Sequence, residues 1–156
     1  MTTSLFIGRF QPFHNAHLKD VKIILKKSGK ILIAIGSSNE KNTQNNPFSY
    51  SERKKMISKT LKANKINNFE IYPIPDIEGD RYWVSYIRKN LPKYDVVYSG
   101  NPWTLKCFFE HDSNTKKIKL VRGISSTIIR EKMASGRKWS HLVPKEIYDF
   151  VSKIKH

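Results

Sequence analysis

Apolar residues follow two alternating rhythms along this chain. Compact blocks at residues 4–7, 31–36, 69–73, 95–99 and 117–121 run into Gly, Pro or Ser shortly afterwards, which is the pattern of buried strands. Between them apolar positions recur at helical spacing. Leu18, Val21 and Leu25 stand at i, i+3 and i+7, with Ile24 widening the stripe. Ser49-Tyr50-Ser51-Glu52 reads as a capping box ahead of Met56, Ile57 and Leu61. Further helices are predicted over 83–90, from Asn101-Pro102 through Phe108 and Phe109, and from Ser126-Thr127 through Ile128, Ile129 and Met133. The last, over about 144–155, has Ile147, Phe150, Val151 and Ile154 on one face.

Strands alternating with helices predict an α/β fold, a Rossmann-like, doubly wound, mainly parallel five-stranded sheet with helices on both faces. Ligands in such a sheet bind beyond the C-terminal strand ends, where the strand order reverses. At 156 residues the chain fits one domain, 1–156, with no internal repeat. Residues 37–46 are polar and read as a loop within that domain, because no second core follows.

Charge narrows the partner. Twenty-nine Lys and Arg against 13 Asp and Glu leave a net +16, so anions are the natural ligands. Lys19, Lys22 and Lys26 are spread over a helix face, no block of five or six like charges occurs, and the aromatics form no RNA-recognition signature. Nucleic acid therefore ranks second to nucleotide phosphates. The chain shows no secretory leader pattern and no apolar stretch of spanning length, which predicts a soluble, cytoplasmic protein without membrane contact. Its single cysteine, Cys107, cannot close an internal disulfide.

Two segments carry phosphate-binding chemistry. Gly8-Arg9-Phe10-Gln11-Pro12-Phe13-His14-Asn15-Ala16-His17 follows the first strand. Its imidazoles, three residues apart, would project on one side of a helix's first turn, where unpaired N–H groups and the helix dipole favour anions. Gly123-Ile124-Ser125-Ser126-Thr127 opens a second such helix, with Arg130 one turn in to clamp a polyphosphate. A bare pair of histidines would more often be solvent-facing, and a bare Ser-Ser-Thr is an ordinary cap; the two together favour function. Cys107 and His111 stand at i and i+4, but core packing and exposure explain them better than zinc, and no structural metal is expected.

These segments resemble the two signatures of the HxGH nucleotidyltransferase superfamily. Gly36-Ser37-Ser38, Asn46-Pro47-Phe48 before Glu52-Arg53, Ile74-Pro75-Asp76-Ile77-Glu78, Trp83-Val84-Ser85-Tyr86, Tyr98-Ser99-Gly100-Asn101-Pro102 and Trp139-Ser140-His141-Leu142-Val143-Pro144 extend the resemblance. Within the superfamily they point to the archaeal nicotinamide-nucleotide adenylyltransferase family, over nearly the whole chain. Ala16 departs from the pattern by replacing the signature glycine.

The resemblance implies transfer of AMP from ATP to nicotinamide mononucleotide, giving NAD and pyrophosphate, with Mg²⁺ bridging phosphate oxygens and a homo-oligomeric assembly. It assigns His14, His17, Arg9 and Arg130 to catalysis, and Gly8, Phe10, Ser125, Ser126 and Thr127 with them to ATP. Trp83 would stack on the pyridinium. Asp76 and Asp80, on a loop before it, would receive the carboxamide, and Ser37, Asn46 and Arg53 would complete the pocket, although Arg53 fits a surface helix position equally well. The rivals are a sister enzyme acting on phosphopantetheine or flavin nucleotides or moving cytidylyl groups, and a non-catalytic basic nucleotide- or RNA-binding protein.

Overall fold

The computed structural model describes residues 2–111, 114–117 and 123–154, and the structural statements below concern these residues. Five strands, β1 (Thr3–Gly8), β2 (Lys30–Ile35), β3 (Phe69–Pro73), β4 (Val96–Ser99) and β5 (Thr115–Lys117), form one sheet in the order β3-β2-β1-β4-β5. Every pairing is parallel. The helices are α1 (Asn15–Lys27), α2 (Tyr50–Ala63), α3 (Asp80–Asn90), α4 (Pro102–His111), α5 (Ser126–Ala134) and α6 (Lys145–Lys153), with a short 3₁₀ turn at Ser140–Leu142.

Alternation along the strands sorts the core into two layers, as the pleat requires. Phe6, Ile31, Ile33 and Ile35 point to one face, where Val21 and Ile24 of α1, Met56 and Leu61 of α2, Ile129 of α5 and Ile147 of α6 cover them. Leu5, Ile7, Leu32 and Ala34 point to the other, against Trp83, Val84 and Ile87 of α3 and Cys107 and Phe108 of α4. Strand order reverses between β1 and β4, so the crevice at their C-terminal ends opens onto both helical layers.

The expected Ser49 cap is present, its hydroxyl accepting from the Glu52 N–H while the Glu52 carboxylate accepts from the Ser49 N–H. Cys107 is buried in the core. Helix α3 starts at Asp80, three residues earlier than predicted. Gly79 turns the chain at φ +94, and an acidic first residue suits the helix dipole. Asp80 thus lies on the helix rather than on the preceding loop. The final strand begins at Thr115; residues 118–121 of the predicted block, and residue 155 of the predicted last helix, lie outside the described residues. No helix is long and apolar enough to cross a membrane among the described residues.

Candidate active site

Strand β1 ends at Gly8, and the next six residues make a tight path into α1. Phe10 sits at φ +53, a conformation that costs an aromatic residue about 1–2 kcal/mol, and its ring is buried beneath the segment. Glycine at position 8 follows from that placement. A Cβ there would lie 2.9 Å from the Phe10 ring. Phe6, Phe10 and Phe13 surround the His17 ring at centroid distances of 6.3, 4.8 and 5.3 Å.

His14 is the N-cap of α1 and not its first residue. Its Nδ1 accepts from the His17 N–H at 3.4 Å, and the His17 Nδ1 accepts from the His14 N–H at 3.1 Å. Both rings are thereby held as the tautomer that carries its proton on Nε2. The rings stack at 3.6 Å with 17° between planes, so a positive charge on one opposes a charge on the other. Burial pushes His14 down to about 4, and burial followed by the charge of His14 pushes His17 well below the usual imidazole range. The pair presents two neutral Nε2–H donors near neutral pH.

A cleft of about 1040 Å³ lies over the tips of β1 and β4. At its α1/α5 end stand Gly8, Arg9, Phe10, His14 and His17, faced by Ser125, Ser126 and Thr127. The Ser125 hydroxyl caps α5 by accepting from the Ile128 N–H, and Ser126 donates to the Pro12 carbonyl at 2.8 Å, which ties the two helix N-termini together. At the α3/α4 end stand Ser37, Asp76, Ile77, Glu78, Trp83 and Trp103. The Trp83 and Trp103 rings lie 4.9 Å apart, the first buried and the second 47% exposed. Asp76 is fixed from two sides, its carboxylate accepting from the Ser37 hydroxyl at 2.8 Å and its N–H donating to the Asn39 side chain at 2.9 Å.

Four residues expected in the site do not themselves line the main cleft. Arg53 is fully buried rather than on the surface or in the ligand pocket. Its guanidinium, lowered to about 10 mainly by burial, donates to the carbonyls of Ser49, Arg9, Gly36, Ser37 and Glu40. It joins the segment after β1 to the loop after β2. The Asp80 carboxylate accepts from the Cys107 thiol, which burial and that carboxylate push up to about 11. Glu78 lines the cleft in its place. Asn46 accepts from Arg9 at 3.3 Å, outside the lining. Arg130 donates to the Gln11 carbonyl at 2.8 Å and to the Thr127 hydroxyl at 3.3 Å, and it lines an adjoining cavity of about 570 Å³ that shares Thr127 with the main cleft. Burial and neighbouring Arg9 lower its guanidinium, so the two cations are close enough to feel each other.

Trp103, Glu78, Gln11 and Asp20 were not among the residues expected here. Trp103 follows the C-terminal end of β4, and that position in a parallel sheet is the signal that points to it. Gln11 is buried, and its amide makes both hydrogen bonds to the Phe48 backbone at 2.9 Å, pinning the far end of the 37–48 loop. Asp20, one turn beyond His17, lines the cleft with its carboxyl pushed up to about 6 by partial burial.

Residues 5–132 match the family model described as Cytidylyltransferase-like. The nicotinamide-nucleotide adenylyltransferase of Thermoplasma acidophilum is 39% identical over 153 residues, 97% of this chain and 86% of the relative. That of Methanococcus maripaludis is 40% identical over 153 residues, 97% of this chain and 89% of the relative. A solved structure from Francisella tularensis, a bifunctional NMN adenylyltransferase/ADP ribose pyrophosphatase complexed with AMP and a manganese ion, superposes with a TM-score of 0.82 at 28% identity. It covers 97% of this chain, which spans 49% of that larger protein.

Proposed function

The chain belongs to the cytidylyltransferase-like family and, within it, to the nicotinamide-nucleotide adenylyltransferases, and we infer that it transfers AMP from ATP to nicotinamide mononucleotide. A phosphate oxygen of the mononucleotide attacks the α-phosphorus of ATP, the bond to the β-phosphate breaks, and NAD and pyrophosphate result. The observation that carries this reading is the stacked His14–His17 pair, two neutral donors lining a cleft that a tryptophan pair also lines. One end suits a triphosphate and the other suits a cationic ring.

Such a transfer needs positioning and charge stabilisation more than covalent help. His14 and His17 donate from Nε2 to phosphate oxygens, with His17 serving the α-phosphate as charge develops there. The backbone N–H groups at the start of α5, with Ser125, Ser126 and Thr127, hold the phosphate chain, and Arg9 and Arg130 neutralise it and the departing pyrophosphate. Gly8 and Phe10 shape the floor beneath them. Trp83 and Trp103 offer electron-rich faces to the pyridinium. Asp76, oriented by Ser37, accepts from the carboxamide, and with Glu78 it disfavours a carboxylate in that place. Arg53 and Asn46 act through the backbone and through Arg9.

Among the described residues no three His, Cys, Asp or Glu side chains converge as a metal cage. A divalent cation such as Mg²⁺, brought in with the nucleotide, would supply charge neutralisation at the phosphates beside Arg9 and Arg130. The test is direct. Protein incubated with ATP, Mg²⁺ and nicotinamide mononucleotide yields NAD and pyrophosphate in equal amounts; no NAD above the enzyme-free control overturns the assignment.

A further inference from the structure

Asp20 has no part in the chemistry above. It stands on α1 three residues after His17 and four after Ala16, so it shares their face one turn, about 5 Å, further from the helix N-terminus. It is half-buried, lines the cleft, and makes no hydrogen bond or ion pair with the described residues. Its carboxylate oxygens are therefore open to accept a hydrogen bond from a molecule in the cleft.

The shape of the cleft says which donor. The acceptor's ring takes the tryptophan end, and the phosphates take the two helix N-termini. The base of the triphosphate is then left with other parts of the lining, among them Ala16 and Asp20 on α1 and Ile124 just before α5. Ala16 and Ile124 are small or aliphatic surfaces that pack against the faces of a planar ring. Asp20 offers an acceptor for its edge. Resting on the adenylyl-transfer reading, we propose that the Asp20 carboxylate selects the base of the nucleotide donor by accepting an N–H of the 6-amino group of adenine. Partial burial holds its carboxyl at about 6, so it is the anion, an acceptor only, at pH 7.5. A 6-oxo base would set one acceptor against another.

The test compares kcat/KM for ATP, purine riboside triphosphate, which lacks the 6-amino group, and inosine triphosphate, each with nicotinamide mononucleotide. Wild type prefers ATP to purine riboside triphosphate by about tenfold or more. Asp20→Ala brings that ratio close to one while its thermal midpoint stays near wild type. Asp20→Asn, whose amide both accepts and donates, keeps ATP and gains inosine triphosphate by about tenfold. Equilibrium binding of the same three nucleotides without the acceptor reads the same ratios. A preference that Asp20→Ala leaves unchanged in binding overturns the proposal. Wild type that binds ATP with this preference yet makes no NAD overturns the adenylyl-transfer reading instead and leaves the base selection standing.

Discussion

The two ends of the cleft are built by opposite faces of one sheet, and they are equipped to hold their ligands by different physics. At the α1/α5 end the groups are directional: two Nε2–H donors, two helix N-termini and the Arg9 and Arg130 guanidiniums. At the α3/α4 end they are broad: two indole rings 4.9 Å apart, with an aspartate in the same cleft held on two hydrogen bonds. Directional donors are strongest against charge that grows during reaction, whereas ring faces grip a cation that changes little. Damage at the first end should therefore appear in kcat, and damage at the second in the KM of the mononucleotide.

Replacing His17 by Ala tests that division most severely. We expect kcat to fall by about two to three orders of magnitude, roughly 3–4 kcal/mol of lost transition-state stabilisation, with the KM of nicotinamide mononucleotide nearly unmoved in steady-state assays. A loss confined to that KM would erase the distinction between the ends. Arg53→Met strikes the frame beneath both. Five carbonyls lose their donor, so urea unfolding should show a loss of about 3 kcal/mol, and the surviving folded enzyme should bind both substrates more weakly.

Acid acts on the first end through linkage. The folded pKa of His14 lies near 4 and that of His17 is also lowered, below the unfolded value of 6.5. Below pH 6.5 the unfolded chain takes up protons that the folded chain refuses. Their stability contribution is complete above 6.5 and is lost as pH falls toward 4. Asp20 opposes this in part, since its raised pKa favours the folded state as pH falls from about 6 toward 4. Denaturation midpoints measured from pH 7 to pH 4.5 should fall, and should fall less in His14→Asn, whose amide oxygen can still cap α1.

The smaller effects belong to the second end. Wild type should turn over the amide mononucleotide faster than nicotinic acid mononucleotide, and Asp76→Asn should narrow that preference by roughly tenfold by removing a charge near the carboxylate. Equal or faster use of the acid by wild type would sink this reading. Trp103→Ala should raise the KM of nicotinamide mononucleotide about fivefold, near 1 kcal/mol, and leave the KM of ATP alone.

The ends also differ in how far they can be read from sequence. The His14–His17 pair is visible because an N-cap and the residue three positions on face each other across a helix's first turn, and the Ser49–Glu52 and Ser125 caps are equally local. Asp80 is harder to read: α3 begins at Asp80 and not three residues later, its carboxylate meets Cys107, and Glu78 lines the cleft. Trp103 pairs with Trp83 across two helices that no local period connects. Arg53 has the most misleading sequence context. A cation on a lysine-rich helix reads as solvated, yet its carbonyl partners at Gly36 and Arg9 lie 17 and 44 residues away.

By itself the sequence determines the alternating strands and helices, the helix caps and the phosphate-binding turn at residues 8–17, because each depends on period or on neighbours within one turn. It also carries the family, through signature segments spread along the chain. Tertiary structure alone decides which tryptophans meet, which acid faces the cleft, which arginine holds the loops and which is left to meet ligand. These are choices among chemically similar side chains. They are made by parallel crossovers that bring distant loops together at the tips of β1 and β4, and no short-range pattern encodes that meeting.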